Sequence, residues 1–118
     1  MNPITRIETN ARMSRVVQYG GLAFVGGQTA VDRSQDVQGQ TRQVLAKIDA
    51  FLAQAGLDKT RLLSAQIWLA DIDRDFAAMN AVWDAWAPEG AAPARATVQA
   101  RLAAPDLLVE IAVIAAAQ

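Results

Sequence analysis

Ala94-Arg95-Ala96-Thr97-Val98-Gln99-Ala100-Arg101-Leu102 alternates apolar and polar residues without a break, and Leu107-Leu108-Val109-Glu110-Ile111-Ala112-Val113-Ile114-Ala115-Ala116 follows after a short link at Ala103–Asp106. The first run has the period of two that a strand requires. The second is apolar on both of its prospective faces, the pattern of a strand covered from both sides. The two runs, joined by so short a link, are expected to form an antiparallel pair. Arg95 and Glu110 then lie near matching positions, about equally far from the turn.

Working outward, Val16–Tyr19 and Leu22–Val25 read as a hairpin turning at Gly20-Gly21, a two-residue turn that tolerates positive φ. Gly26-Gly27 at the end of the second strand points to a bulge, or to a close approach of backbone to another group. A helix is expected from about Asp36 or Val37 to Ala55, with Val37, Val44, Leu45, Ile48, Phe51, Leu52 and Ala55 on one face. Asp36 suits its N-cap and Gly56 its stop. Leu62–Leu69 reads as a strand. After the charged turn Asp71–Asp75, whose carboxylates read as helix caps, a second helix runs near Arg74–Trp86, with Phe76, Met79, Trp83 and Trp86 as its apolar stripe. Pro88 and Gly90 end it. The tryptophans read as core or interface packing.

The order is β-β-α-β-α-β-β, with no repeat and no linker, so residues 1–118 are expected to form a single α+β domain. Both helices are amphipathic, so they should cover one face of a mixed sheet. The other face must then be buried elsewhere, and packing against sister subunits would do this.

Composition narrows the chemistry. The chain has no cysteine and no histidine, which excludes disulfides, thiolate metal sites and Ser–His or Cys–His nucleophiles. Acid–base work falls to Asp, Glu, Lys, Tyr or the N-terminal amine. No calcium loop, dinucleotide fingerprint or phosphate loop is present, so no metal site is expected. The formal net charge is −1 and no basic block exists, so no nucleic acid is expected as partner. Met1–Asn10 lacks an apolar signal region and no apolar run is long enough to cross a bilayer. A cytoplasmic protein without membrane association is the resulting expectation.

Glu110 is the only charge in Leu107–Ala117. A carboxylate so placed must pair, take up a proton or face a polar cavity, and burial would suit it to proton transfer near neutral pH. A Glu locked in a salt bridge is the competing reading and carries equal weight. Arg95 offers a planar fork for a carboxylate, yet it and Arg101, on the same face by parity, each read alone as solvated or ion-paired residues. Considered as a pair, Arg95 and Glu110 suit a small anionic substrate and a water molecule.

Several segments resemble one family. Pro93-Ala94-Arg95-Ala96-Thr97-Val98, Leu108-Val109-Glu110-Ile111 and Ile114-Ala115-Ala116 resemble the closing signature of the Rid proteins, the reactive intermediate deaminases of YjgF type. Gly21–Gln28, Gln40–Leu45 and Asp75–Asn80 resemble its strand ending in Gly-Gln and the starts of its two helices. The likeness spans nearly the whole chain in the right order. It implies a chorismate-mutase-like (YjgF-like) fold assembled as a homotrimer with sites between subunits. It also implies cofactor-free hydrolysis of 2-imino or enamine acids, such as 2-aminoacrylate, to 2-keto acids and ammonia. By resemblance, Arg95 clamps the substrate carboxylate, Glu110 directs the attacking water, and the backbone at Gly27 and Thr97 lines the pocket. The chain departs from the best-known pattern at Met13, which takes the place of a tyrosine, and at Gly26, which takes the place of a serine. These mark a divergent subgroup, similar to members with Arg-x-Ser before the hairpin and an Ala-Val-Trp-Asp-Ala-Trp helix. They favour the alternative of a non-catalytic trimer that binds small carboxylates. A purely structural module is a third reading, motivated by the apolar last strand.

Overall fold

The computed structural model describes residues 3–118; the N-terminal amine, one of the acid–base groups named above, lies outside them. Strands β1 (Thr5–Thr9), β2 (Ser14–Tyr19), β3 (Leu22–Gln28), β4 (Leu62–Leu69), β5 (Ala94–Gln99) and β6 (Val109–Ala116) join helices α1 (Val37–Gln54) and α2 (Ile72–Trp86). One strand more than expected therefore precedes the hairpin. β1 is polar except for Ile7 and carries no alternation to announce it. Its place comes from the ladder with β2, in which Ile7 lies opposite Val16 at the edge of the core.

The helix ends follow from local chemistry. The Asp36 carboxylate accepts from the Gly39 amide at 2.9 Å and so caps α1. At the other end Gly56 adopts φ 75°, while the Leu57 and Gly56 amides donate to the carbonyls of Leu52 and Ala53, closing the helix as a Schellman turn. Asp71 caps α2 through the Arg74 amide, so that helix starts two residues earlier than the apolar stripe suggests. Asp75 is not a cap: it is buried and forms a two-pronged ion pair with Arg74 at 2.8–3.0 Å.

The sheet order is β1-β2-β3-β6-β4-β5. This corrects the expected pairing of the last two strands. β4 lies between them, antiparallel to β6 and parallel to β5. The physical reason is coverage. β6, apolar on both faces, takes the middle of the sheet, whereas β5, which returns through α2 as a parallel strand must, takes the edge. β5 also stops at Gln99, leaving Arg101 in the following loop and not on the face of Arg95.

Both helices lie on one face. Val44, Leu45, Ile48 and Leu52 of α1 and Met79, Val82 and Trp83 of α2 pack on Val16, Val25, Ala65, Ile67, Leu69, Val109, Ile111 and Val113. Each fully buried aliphatic side chain contributes about 1.5–3 kcal/mol. The opposite face is open. It presents Val17, Tyr19, Leu22, Phe24, Ala112, Ile114, Trp68 and, at the edge, Ala96 and Val98; Phe24 is 42% exposed and Val98 44%. The alternating strand is thus inverted relative to a solvated edge: its polar residues face α2 and its apolar residues face outward.

Gln40, fully buried, ties α1 to the start of β6. Its amide nitrogen lies within hydrogen-bonding distance of the carbonyls of Arg33, Gln35 and Asp106, and its oxygen accepts from the Leu108 amide at 2.9 Å. Gln40→Leu is expected to lower the unfolding free energy by about 3 kcal/mol, since each buried group left without a partner costs ~1–3 kcal/mol. Asp36→Ala should cost about 1 kcal/mol. Urea unfolding at fixed chain concentration measures both, and equal losses would contradict this ranking.

Candidate functional site

Glu110 sits one residue into β6, directly after the segment that Gln40 anchors. Its Cα lies opposite Trp68, and it is flanked by the buried Val109 and Ile111. Its carboxylate is partly withdrawn from water, and this burial raises its pKa above the ordinary 4.5. No Lys or Arg of the described residues forms an ion pair with it, so the locked salt bridge is absent among them. The neighbouring strand leaves room for it. β3 slips register between Val25 and Gln28, and at that bulge Gly27 lies against the carboxylate. A Cβ built on Gly27 would overlap Glu110 Oε2 and come within 3.0 Å of its Cδ. Only glycine at 27 lets Glu110 occupy this position.

Arg95 is held quite differently. Its Nη1 donates to Asn80 Oδ1 at 2.7 Å, and its Cζ lies 5.4 Å from the ring centroid of Trp83 and 6.0 Å from that of Phe76. Phe76, Asn80 and Trp83 are successive turns of one face of α2 (i, i+4, i+7). Trp83 is buried and Phe76 is 42% exposed. The aromatic rings and the amide fix the guanidinium, while its remaining N–H donors stay available for a carboxylate. Thr97 follows on the same face, and its Oγ1 is the one fully buried side-chain polar atom without a partner among the described residues.

Arg95 and Glu110 are not neighbours. Arg95 lies opposite Ala65, whose side chain belongs to the helix-covered core; Glu110 lies opposite Trp68 on the open face. They are two strands apart, roughly 10 Å across the sheet, and on its two opposite sides. The matching positions expected from an antiparallel pair do not exist, because β4 intervenes. The structure does bring Gly27 to Glu110 and Thr97 to Arg95. Met13 lies in the turn before β2, 48% exposed, with Arg15 Nη1 3.6 Å from its sulfur. Gly26 borders the carbonyls of Ser14 and Arg15, where an added Cβ would meet only ordinary contacts of 3.7 and 3.9 Å. Asn80 and Phe76, which hold Arg95, are candidate-site residues that the sequence reading did not assign to the site, Phe76 being read only as part of the apolar stripe. The signal was an Asn beside an apolar stripe on a helix next to a strand bearing an Arg.

Hollows among the described residues lie elsewhere. One of about 400 Å³ separates α1 from α2 beside Arg42, Lys59 and Trp86. One of about 860 Å³ adjoins the Gln99–Leu107 segment. One of about 270 Å³ lies on the open sheet face at Phe24, Gln66 and Ile114. None of these three is lined by Arg95 or Glu110. Among the described residues no three His, Cys, Asp or Glu side chains cluster to hold a metal ion. No helix among them is long and apolar enough to cross a membrane.

The family model described as Endoribonuclease L-PSP matches residues 3–117. A RutC family protein of Haemophilus ducreyi is 45% identical over 113 residues, 96% of each chain. The RutC family protein YoaB of Escherichia coli is likewise 45% identical, over 96% of this chain and 97% of its own. A crystal structure of a YjgF family member from Neisseria meningitidis superposes with a TM-score of 0.93 at 44% identity, covering 97% of this chain and 94% of that one. The chain belongs to the YjgF/RutC family. Its six-stranded sheet with two helices on one face is the family's fold, as the resemblance implied.

The raised pKa of Glu110 has a testable sign. Between its unfolded and folded values the native chain holds more protons than the unfolded chain, so stability falls as pH rises through that window. Glu110→Gln removes this dependence. Its stability relative to the parent chain should increase from about pH 4 upward and level off above the folded pKa. Denaturant midpoints across pH measure it, and a constant difference would show that burial does not govern Glu110.

Proposed function

We propose that the protein is a cofactor-free hydrolytic deaminase of 2-imino and enamine acids, working in the cytoplasm at sites shared between copies of a homotrimer. One observation carries the reading. Each copy offers a guanidinium with free donors on one side of the sheet and, on the other, a carboxylate of raised pKa that has no ion pair among the described residues. Neither can serve the other within one chain, but the β5 edge of one copy seated against the open apolar face of the next can bring them together. That face, with Tyr19, Phe24 and Val98 exposed, needs such a cover.

The chemistry follows from the groups. The substrate carboxylate accepts two hydrogen bonds from the free edge of Arg95, which Asn80 and the rings of Phe76 and Trp83 hold still. This fixes the imine carbon relative to the neighbouring copy's Glu110. The carboxylate of Glu110 takes a proton from water as its oxygen bonds to the imine carbon. Glu110 returns that proton to the nitrogen, then takes the hydroxyl proton of the tetrahedral intermediate and passes it to the nitrogen as well, so that the carbonyl forms as the carbon–nitrogen bond breaks and ammonia leaves. The sum is imine plus water giving keto acid plus ammonia, with no electron transfer. Burial suits Glu110 to this exchange, since a carboxylate of raised pKa is the stronger base.

Met13 and Gly26 favour a second reading, a trimer that binds small carboxylates without turnover, because neither supplies a hydroxyl to the pocket. The RNA-cleaving name of the family model finds less support in this chain, which lacks histidine and a basic surface block.

Two measurements test the proposal. 2-Iminobutyrate generated in situ should decay faster with the protein, and Arg95→Ala should reduce kcat/KM by about a hundredfold or more, the loss of a charge-assisted pair at ~3 kcal/mol. Decay unchanged by the protein, together with Arg95-dependent binding of 2-oxobutyrate, would establish the binder instead. Sedimentation should give three times the chain mass. Val98→Asp on the open face should lower that mass and the activity together; full activity in a dissociated variant is incompatible with a shared site.

A further inference from the structure

Gln28 has no part in the chemistry above, yet it is buried in the apolar core. It is 2% exposed, and its Cα lies opposite Ile111, itself fully buried beneath the helices. Paired residues of an antiparallel ladder share a face, so Gln28 points inward, into a position that an aliphatic side chain would ordinarily fill. Val25, three residues earlier, also belongs to the core. A regular strand alternates and cannot send residues three apart to the same side. The ladder shows how this one does. Val25 lies opposite Val113 and Gln28 opposite Ile111, so Gly26 and Gly27 together face the single residue Ala112, which makes a β-bulge. The Gln28 side chain folds back over that bulge, and its Nε2 donates to the Gly26 carbonyl at 2.9 Å. A buried amide is costly without such a bond, and here the bond goes to the bulge.

The bulge decides what stands beside Glu110. With the extra residue in place, Gly27 is set against the carboxylate, where a single added carbon would overlap Oε2. Without it the ladder would run on in the register of Val25 and Val113, so that Gly27 would pair with Ile111 and Gln28 with Glu110. A slip of one residue turns a side chain to the other face. Gln28 would then leave the core for the open face, and its amide would take the space beside the carboxylate and hydrogen-bond to it. The geometry points to Gln28 as a residue that positions Glu110: its amide clasps the Gly26-Gly27 bulge and so keeps glycine, and not its own side chain, beside the carboxylate. The three consecutive residues act as one device, in which Gly26 supplies a carbonyl, Gly27 the open space and Gln28 the clasp. As a role in catalysis the inference rests on Glu110 directing the attacking water; as a statement of what holds Glu110 in place it does not.

Gln28→Met keeps the buried volume and lacks the donor, whereas Gln28→Ala removes both. Each is compared with Leu52→Ala, which opens a core cavity in the last turn of α1 and so gives a destabilised chain with the clasp intact. Cross-strand nuclear Overhauser contacts report the register directly. Contacts to Ile111 should come from Gln28 in the parent and in Leu52→Ala; in the Gln28 variants they should weaken at residue 28 and appear at Gly27. With 2-iminobutyrate, kcat of these variants should fall about tenfold to a hundredfold, the scale of a reacting group misplaced by about an ångström. KM, governed by Arg95 on the other side of the sheet, should change by less than about twofold, and Leu52→Ala should leave both constants near those of the parent. An unchanged register in the Gln28 variants overturns the inference, and so does an unchanged kcat in a variant whose register has moved. If Gln28→Ala does not fold, the volume-conserving Gln28→Met decides by itself. A parent without turnover defeats the deaminase reading alone, because the Overhauser contacts still decide whether Gln28 holds the bulge beside Glu110.

Discussion

The structure depends on β6 having to be covered twice. Its odd-numbered residues, Val109 to Ala115, are buried against α1 and β-sheet neighbours, and its even-numbered residues, Ala112 to Ala116, are also apolar yet face the open side. A strand of this kind is stable only in the middle of a sheet. That requirement pushes β5 to the edge, places β4 between the two strands that bear the site residues, and leaves an apolar surface on the side away from the helices. The single carboxylate within β6 is then tolerated because a glycine on β3 vacates the space it needs.

Much of this was legible in the sequence. The alternation of β5, the apolar run of β6, the caps at Asp36 and Asp71 and the stop at Gly56 each have a local cause, and each lies where its chemistry directs. The bulge and close approach at Gly26-Gly27 were readable from the glycines alone, although the partner of the approach, Glu110, was not. Three features were hidden. β1 has no apolar pattern because its ladder to β2, not its side chains, holds it. The pairing of β5 is non-local, set by the α2 crossover and not by the short link that precedes β6. The inversion of β5, polar toward the helix and apolar toward the outside, cannot be read from a single strand, because alternation marks two faces without saying which of them is covered.

The same inversion accounts for the site. Arg95 was selected by its place on a polar face, and it is indeed there, but the polar face looks inward at Phe76, Asn80 and Trp83. An arginine on the solvated side would keep its rotational freedom. Here two rings and an amide have already restricted it before any ligand arrives, which lowers the entropy lost on binding. Glu110 has the opposite character. Its place is opened by the missing side chain at Gly27, and it is partly buried, with no hydrogen-bonded partner among the described residues to fix its charge.

Under the proposed shared site, the placement of Arg95 and Glu110 on opposite sides of the sheet has a genetic consequence. In a ring of copies with each site built across a boundary, a chain defective at Arg95 still lends its Glu110 to the neighbour on one side, and a chain defective at Glu110 still lends its Arg95 to the neighbour on the other. Two inactive alleles of these kinds, expressed together, would rebuild intact sites at some boundaries and complement each other. An allele defective at both positions would instead spoil the boundaries on either side of it and act dominantly over a normal copy.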